Sequence, residues 1–132
     1  MAKIVVIEDD ITFLGLLRVH LASAGHEVLT AEDAALGLRA IITEAPDLIL
    51  LDLTVPYLSG FEMIKALRND PATKAIPVVV LTGLKDDETF AQARKLGASH
   101  FLTKPVDRDV LLRAIETQLR APKARVRGKK RS

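Results

Sequence analysis

The stretch Asp47-Leu48-Ile49-Leu50-Leu51-Asp52 carries four large apolar residues in succession between two carboxylates. An uninterrupted apolar run of this length is typical of a strand that is buried on both faces, as the strands of parallel sheets are. Asp52 stands where such a strand leaves the core, so its carboxylate is held at a defined point on the edge of the sheet. What the neighbouring strand ends carry then decides what this carboxylate can do.

The composition indicates one globular domain. With 132 residues, of which 48% are hydrophobic and 27% charged, the chain can bury one sizeable core. It has no cysteine, which excludes disulfides and thiolate metal sites and fits a reducing cytoplasm. No apolar run reaches the roughly 20 residues that a membrane span needs, and no signal peptide is evident. We therefore expect a soluble, cytoplasmic protein without a membrane partner.

Charge divides the chain into two parts. Residues 121–132 contain six basic residues and no acidic one, whereas the remaining residues carry 13 basic (six fewer than the total of 19) against 17 acidic side chains, a net charge of −4. We predict a domain over residues 1–120 followed by a basic, disordered tail over residues 121–132. The tail is a solvated end, a linker to an output domain that the chain lacks, or a polyanion contact. Contact with nucleic acid is expected only there.

Five short apolar runs predict strands, at residues 3–7, 27–31, 48–52, 76–81 and 100–103. Helices are predicted between and after them, each begun by a residue that can cap it: Asp10, Asp33, Ser59, Asp86 or Asp87, and Asp107. Helical spacing predicts two buried helix faces. One belongs to the second helix and consists of Leu38, Ile41, Ile42 and Ala45. The other belongs to the last helix and consists of Val110, Leu111, Ala114, Ile115 and Leu119. Each crossover is too long for a hairpin, so the pattern predicts an α/β fold: a doubly wound, five-stranded parallel sheet of flavodoxin-like order 2-1-3-4-5, with helices on both faces.

Polar residues come directly after four of the five predicted strands, and they are Glu8 with Asp9, Asp52, Thr82 and Lys104. In a doubly wound sheet the ligand lies off the carboxyl ends of the strands, near the first and third. Three carboxylates within about 5 Å would repel one another by on the order of 3 kcal/mol per pair. One lysine cannot balance three carboxylates, so we expect a divalent cation, and oxygen donors without His or Cys favour Mg²⁺.

A carboxylate, a hard cation, a lysine and a hydroxyl together suit phosphoryl transfer. We predict that Asp52 is the nucleophile that accepts the phosphoryl group and that Thr82 and Lys104 contact its oxygens. The predicted metal ligands lie at the same edge and are Glu8, Asp9, Asp52 and the backbone carbonyl of Thr54. Simpler interpretations stay open: Asp10 as a helix cap, Lys104 as a surface lysine, and Phe101 as a core residue.

These motifs in this order resemble the receiver domain of bacterial response regulators, over a span from about Lys3 to Leu119. They are Glu8-Asp9-Asp10, Asp52-Leu53 with Pro56 and Gly60 after it, Thr82-Gly83, and Lys104-Pro105. The resemblance implies a two-component regulatory domain rather than an enzyme. A histidine kinase or phosphotransfer protein would phosphorylate Asp52 with Mg²⁺, and a downstream target that the sequence does not identify would detect the change. We expect a monomer or a weak homodimer.

The resemblance also implies a conformational switch. Thr82 would move toward the phosphoryl group while Phe101 turns inward, and together these movements would remodel the face formed by the fourth helix, fifth strand and fifth helix. Phe101 lacks the hydroxyl of the tyrosine that is frequent there, so its contribution would be steric. The Lys104-Pro105 peptide resembles one that is cis in the family, a state that is accessible chiefly to proline.

Two other classes of protein are weighed against this interpretation. A phosphatase of the haloacid dehalogenase type also uses a strand-end Asp with Mg²⁺, but it needs a second acid two residues on, where this chain has Thr54. A flavin or nucleotide module of the same fold needs small residues after the first strand to hold phosphate, where this chain has Glu8-Asp9-Asp10. The histidines, His20, His26 and His100, are predicted to lie too far apart to bind a metal.

Overall fold

The computed structural model describes residues 1–54, 59–83 and 87–121. The strands are β1 (Lys3–Ile7), β2 (Glu27–Ala31), β3 (Leu48–Asp52), β4 (Val78–Thr82) and β5 (His100–Thr103). The helices that alternate with them are α1 (Ile11–Ser23), α2 (Ala34–Glu44), α3 (Gly60–Asn69), α4 (Asp87–Leu96) and α5 (Arg108–Arg120). The predicted alternation is confirmed, with strand bounds that agree to within two residues.

The five strands form one parallel sheet in the order β2-β1-β3-β4-β5, so the predicted doubly wound topology is confirmed. Register decides which strand ends meet. Ile7 pairs with Leu51, so the residue after β1 lies beside Asp52 at the end of β3. On the other side Thr82 pairs with Thr103, so Lys104 emerges next to the end of β4.

The core has two layers, one on each face of the sheet, because side chains alternate across a strand. In β3, Ile49 and Leu51 pack with α2, α3 and α4, whereas Leu48 and Leu50 pack with α1 and α5. All of β3 and β4 is buried. Burying one such side chain fully is worth about 1.5–3 kcal/mol, so the central strands hold their ends firmly.

Helix caps confirm four of the predicted start sites. Side chains of Asp10, Asp33, Ser59 and Asp107 each accept a hydrogen bond from a backbone N–H in the first turn of the following helix. Such caps typically stabilise a helix by about 1 kcal/mol. The fifth start site was predicted as Asp86 or Asp87; Asp87 is the first residue of α4, and Asp86 lies outside the described residues.

Three predictions of buried residues are wrong, because Ile42 is 71% exposed, Val110 is 47% exposed and Ala45 is exposed just after α2. The buried side of α2 is formed by Ala34, Gly37 and Ile41, at i, i+3 and i+7, so the prediction for Ile41 is confirmed. Small residues fit there because α2 lies close to the sheet, and a Cβ at position 37 would collide with the Ile7 side chain. Ile42 is turned about 100° from Ile41 around the helix axis, which brings it into solvent.

No helix within the described ranges is long and apolar enough to cross a bilayer. The predicted tail lies, beyond Ala121, outside the described residues, and so does Pro56 of the loop motif. The boundary between domain and tail at residue 120 therefore stays a prediction.

Candidate functional site

The carboxyl edge of the sheet brings together the acids that the sequence places more than forty residues apart. Glu8, Asp9 and Asp52 each offer a carboxylate oxygen, and these three atoms lie within 4.8 Å of one another. Glu8 and Asp52 are buried, whereas Asp9 is exposed. These three residues are called the acidic cluster below. Within the described residues it is the one group of metal-ligating side chains found, and no histidine belongs to it.

Lys104 lies over the acidic cluster. Its Nζ is 2.9 Å from Glu8 Oε1 and 3.0 Å from Asp52 Oδ2. Burial by itself would lower the pKa of Lys104, but the ion pairs with Glu8 and Asp52 outweigh burial and raise it. Lys104 is therefore a charged ammonium at neutral pH. Its backbone N–H donates to the carbonyl of Thr82, and the Lys104-Pro105 peptide is cis, as the resemblance implied.

Asp52 has hydrogen-bond donors on both of its carboxylate oxygens. Oδ2 accepts from Lys104, and Oδ1 accepts from both the backbone N–H and the side-chain hydroxyl of Thr54, each at 3.1 Å. These contacts fix the orientation of the carboxylate at the end of β3. From the sequence, Thr54 was predicted to contribute to the site through its backbone carbonyl, and its two donors to Asp52 were not predicted.

Glu8 is the member of the acidic cluster that has an unsatisfied carboxylate oxygen. Oε2 accepts a hydrogen bond from the backbone N–H of Asp10 at 3.0 Å, but buried Oε1 has no hydrogen-bond partner among the described residues. The Lys104 ammonium is close to Oε1 without suitable hydrogen-bond geometry, so the contact is one of charge. Burial raises the pKa of Glu8, and the charge of Asp52 raises it further, while Lys104 and Asp10 oppose the shift.

These features fit a hard divalent cation. Glu8 Oε1 is buried and accepts no well-oriented hydrogen bond, so a metal ion would satisfy it, and the other candidate ligand atoms nearby are all oxygens. The exposed position of Asp9 leaves one side of the acidic cluster open to water, and Mg²⁺ usually keeps several water ligands.

Glu8→Gln is expected to stabilise the metal-free protein by about 1 kcal/mol near pH 7, because it removes a buried charge while Lys104 keeps Asp52 as a partner. The folded-state pKa of Glu8 lies above its ordinary value of 4.5. Ionisation of Glu8 therefore weakens the fold as pH rises through that pKa, and the gain from Gln should vanish toward about pH 4. Urea unfolding in the presence of a chelator, at both pH values, measures the difference in the free energy of unfolding between Glu8→Gln and the parent protein.

Glu44→Gln provides the control for that measurement. Glu44 forms an ion pair with Lys3 that is partly exposed, so its loss should change the free energy of unfolding by less than about 1 kcal/mol. If Glu8→Gln were less stable than the parent protein at both pH values, the ion pair between Glu8 and Lys104 would be a net source of stability.

Thr82 and Phe101 lie where the sequence predicted them. Thr82 is fully buried at the end of β4, beside the strand that ends in Asp52. Phe101 is half-buried against the layer of α2, α3 and α4. Its ring centroid is 5.4 Å from that of Phe90, and the guanidinium of Arg94 lies 5.0 Å from it. These contacts support the interpretation of Phe101 as a packed residue, and its role in a switch stays a prediction.

Phe13 is next to the site and was missed by the sequence analysis. Lys104 Nζ lies 5.2 Å from the centroid of its ring. The helical spacing of Leu14, Leu17 and Leu21 indicates the inward face of α1, and these residues are buried there. That spacing does not single out Phe13, which comes directly before them. The sequence contained one sign that Phe13 lies near the site. Phe13 comes three residues after Asp10 and so belongs to the first helical turn after Glu8 and Asp9.

The backbone is packed so closely at Gly60 that no side chain fits there. Its backbone N–H donates to the carbonyl of Leu53 at 3.1 Å, and a Cβ at position 60 would lie 2.6 Å from the Cα of Leu53. The start of α3 thus rests directly on the backbone that follows Asp52. A side chain at this position would displace that backbone, and with it Thr54.

Comparison with known proteins agrees with this site. Residues 4–116 match the family model of the response regulator receiver domain. The chain is 39% identical over 120 residues to protein PilH of Pseudomonas aeruginosa, covering 90% of this chain and 98% of PilH. It is 41% identical over 111 residues to the response regulator PleD of Caulobacter vibrioides, covering 84% of this chain but 24% of PleD.

Solved structures agree as well. The chemotaxis response regulator CheY4 of Vibrio cholerae superposes with a TM-score of 0.85 at 30% identity, covering 89% of this chain and 98% of CheY4. A receiver domain protein from Clostridium thermocellum superposes with a TM-score of 0.83 at 34% identity, covering 90% of this chain and 94% of the other. The resemblance that the motifs suggested is confirmed, and the chain belongs to the response regulator receiver domain family.

Proposed function

We propose that this protein is a phosphorylation-dependent signalling switch in which Asp52 accepts a phosphoryl group from a histidine kinase or phosphotransfer protein. One observation carries the proposal: Asp52 ends a buried strand within reach of two other carboxylates and a lysine ammonium. Family membership adds support, since receiver domains are regulatory domains of two-component signalling. Labelling of the chain is therefore expected to be stoichiometric rather than catalytic.

The proposed transfer is a single displacement at phosphorus. An oxygen of Asp52 bonds to phosphorus as the bond from phosphorus to the donor's imidazole nitrogen breaks, and the donor histidine keeps that electron pair and takes up a proton. Lys104 Nζ is near Asp52 Oδ2, so the ammonium can donate a hydrogen bond to an oxygen of a phosphoryl group that is attached to Asp52. The hydroxyl of Thr82 would donate a hydrogen bond to another phosphoryl oxygen.

Mg²⁺ is the proposed cofactor, and when bound it would neutralise charge on the phosphoryl oxygens. The residues that would hold it are Glu8, Asp9, Asp52 and, through its backbone carbonyl, Thr54. The two buried carboxylates share one lysine in this structure, and a bound cation would free Lys104 from Glu8 for the phosphoryl group.

The proposed output is a change at the face of α4, β5 and α5, which a downstream target would bind. A cavity of about 610 Å³ on this face supports the idea, because Phe90, Phe101 and Val110 line it. Phosphorylation adds charge and acceptor oxygens, which would draw Thr82 toward the site and let Phe101 turn inward. A monomeric or weakly dimeric cytoplasmic protein remains our expectation, with residues 1–120 as the domain.

The phosphatase alternative has less support. The residue two positions after Asp52 is Thr54, and it holds Asp52 by two hydrogen bonds instead of supplying a second acid. A general acid for the leaving group is therefore lacking at the place where that mechanism needs it.

Incubation with a small phosphodonor such as acetyl phosphate tests the proposal, with intact-mass measurement as the readout. We expect one phosphoryl group per chain with Mg²⁺ and none with a chelator, because the acidic cluster repels an anionic donor unless a cation is bound. Alkali and hydroxylamine should both remove the label, because both cleave an acyl phosphate. Repeated turnover of a phosphomonoester, or labelling that the chelator leaves unchanged, would contradict it.

A further inference from the structure

The Lys104 ammonium lies between the acidic cluster and an aromatic ring. On one side are Glu8 Oε1 and Asp52 Oδ2, and the ring of Phe13 is on another, with 5.2 Å between Nζ and the ring centroid. A cation within about 6 Å of a ring centroid is attracted by the negative face of the ring, more strongly where water is scarce. Lys104 is only 26% exposed, so this attraction is poorly screened.

The position of Phe13 is set by the acidic cluster itself. Glu8 Oε2 accepts from the backbone N–H of Asp10, and Asp10 Oδ1 accepts from the backbone N–H of Phe13 at 3.1 Å. The Phe13 ring then meets Lys104, and Lys104 returns to Glu8. These four residues form a closed ring of contacts that joins the first turn of α1 to the end of β5.

We propose that Phe13 is a positioning residue for Lys104, which deepens the proposed function and rests on it. A lysine side chain has a flexible four-carbon stem and three donors that rotate freely. Two carboxylates alone leave the ammonium free to swing toward solvent on the α1 side. The ring occupies that side and accepts no conventional hydrogen bond, so it holds the charge over Asp52 without competing for its donors.

Three variants separate a role of the ring face from simple packing. Phe13→Leu keeps an apolar side chain but has no ring, whereas Phe13→Tyr keeps the ring. Phe61→Leu is the matched control, because Phe61 is also half-buried but packs in the core layer on the opposite face of the sheet. Urea unfolding of all three verifies that they are folded under the conditions used.

The contact is measured first in the unphosphorylated, metal-free protein. Protons on the Lys104 side chain should show an upfield ring-current shift by NMR, which Phe13→Leu removes and Phe13→Tyr and Phe61→Leu retain. This readout does not depend on phosphorylation. Lys104 shifts that are the same in the parent protein and in Phe13→Leu would overturn the proposal even if Asp52 is labelled normally.

The consequence is measured as the rate of labelling by acetyl phosphate with Mg²⁺. We expect Phe13→Leu to be about 3-fold to 10-fold slower, since a cation–π contact is typically of that magnitude, with Phe13→Tyr near the parent rate. Equal rates in Phe13→Leu and the parent, or equal slowing in the Leu and Tyr variants, would overturn the positioning role. Failure of the parent protein to be labelled would instead overturn the proposed function, while the NMR shifts still test the contact.

Discussion

Asp52→Asn is expected to reduce phosphoryl labelling of the chain below detection while leaving the fold intact. An amide oxygen is a very weak nucleophile at phosphorus, and the amide nitrogen has no free electron pair, so neither atom of Asn can form the acyl phosphate. Asn has nearly the same shape as Asp, and its one amide oxygen can still accept from Thr54. Its amide nitrogen cannot accept from Lys104, but Lys104 keeps its ion pair with Glu8. The substitution also removes one of three mutually repelling carboxylates, so stability should not fall.

Asp47→Asn is the matched control, because Asp47 flanks the same strand at its other end. Its Oδ2 accepts from the backbone N–H of Lys3, a bond that an Asn oxygen can also accept, and it lies at the edge opposite the acidic cluster. Labelling of Asp47→Asn should match that of the parent protein. Intact mass measures labelling, and circular dichroism with urea unfolding verifies the fold. Persistent labelling of Asp52→Asn would move the acceptor to another acid, with Glu8 and Asp9 the first to examine.

The fold and the convergence of site residues could be predicted from the sequence because both depend on strands. A buried strand shows itself as an unbroken apolar run, and the residue after it must lie at the sheet edge, as Asp52 and Lys104 do. Strand order then decides which ends are neighbours, and right-handed crossovers leave few possible orders. The acidic cluster follows from these two rules without any knowledge of side-chain contacts.

What could not be predicted depends on how each helix is turned against the sheet. Periodicity locates a helix face only to within about one residue, or roughly 100°, which is why Ile42 was assigned to the core together with Ile41, although only Ile41 is buried. The same uncertainty concealed Phe13, whose ring reaches Lys104 only because α1 presents this residue to the end of β5. The strand-end position of Lys104 predicted a lysine near the carboxylates, but not that its ammonium pairs with both Glu8 and Asp52.

Arg68→Ala is expected to lower the free energy of unfolding by about 3 kcal/mol, although Arg68 belongs to none of the motifs of the site. The guanidinium donates to three backbone carbonyls, those of Lys74 at 3.1 Å, Ile76 at 2.7 Å and Gly97 at 2.9 Å. Burial lowers the pKa of Arg68. The bonds to Ile76 and Gly97 are partly buried, so truncation would leave two shielded carbonyls without a donor, which is costly, whereas the carbonyl of Lys74 is exposed to water.

These bonds tie together the segment before β4, the end of α3 and the end of α4. Gly97, just after α4, has φ of 116°, and a Cβ there would lie 2.6 Å from the Arg68 side chain, so the arginine packs directly on that backbone. Arg68→Lys should recover only part of the loss, because one ammonium cannot reach three carbonyls in the geometry of the planar guanidinium. Exposed Arg39 on α2 is the control, and Arg39→Ala should change stability by less than about 0.5 kcal/mol.

Urea unfolding measures the loss, and hydrogen exchange locates it. Because Arg68 holds the turn that follows α4, amide exchange in Arg68→Ala should accelerate most around Gly97 and Ile76, while β1 and β3 change only as far as global stability does. If Arg68→Ala lowered the free energy of unfolding no more than Arg39→Ala does, water would be replacing the guanidinium at all three carbonyls. The end of α4 would then be held by its apolar contacts, which include that of buried Ala93 in the core.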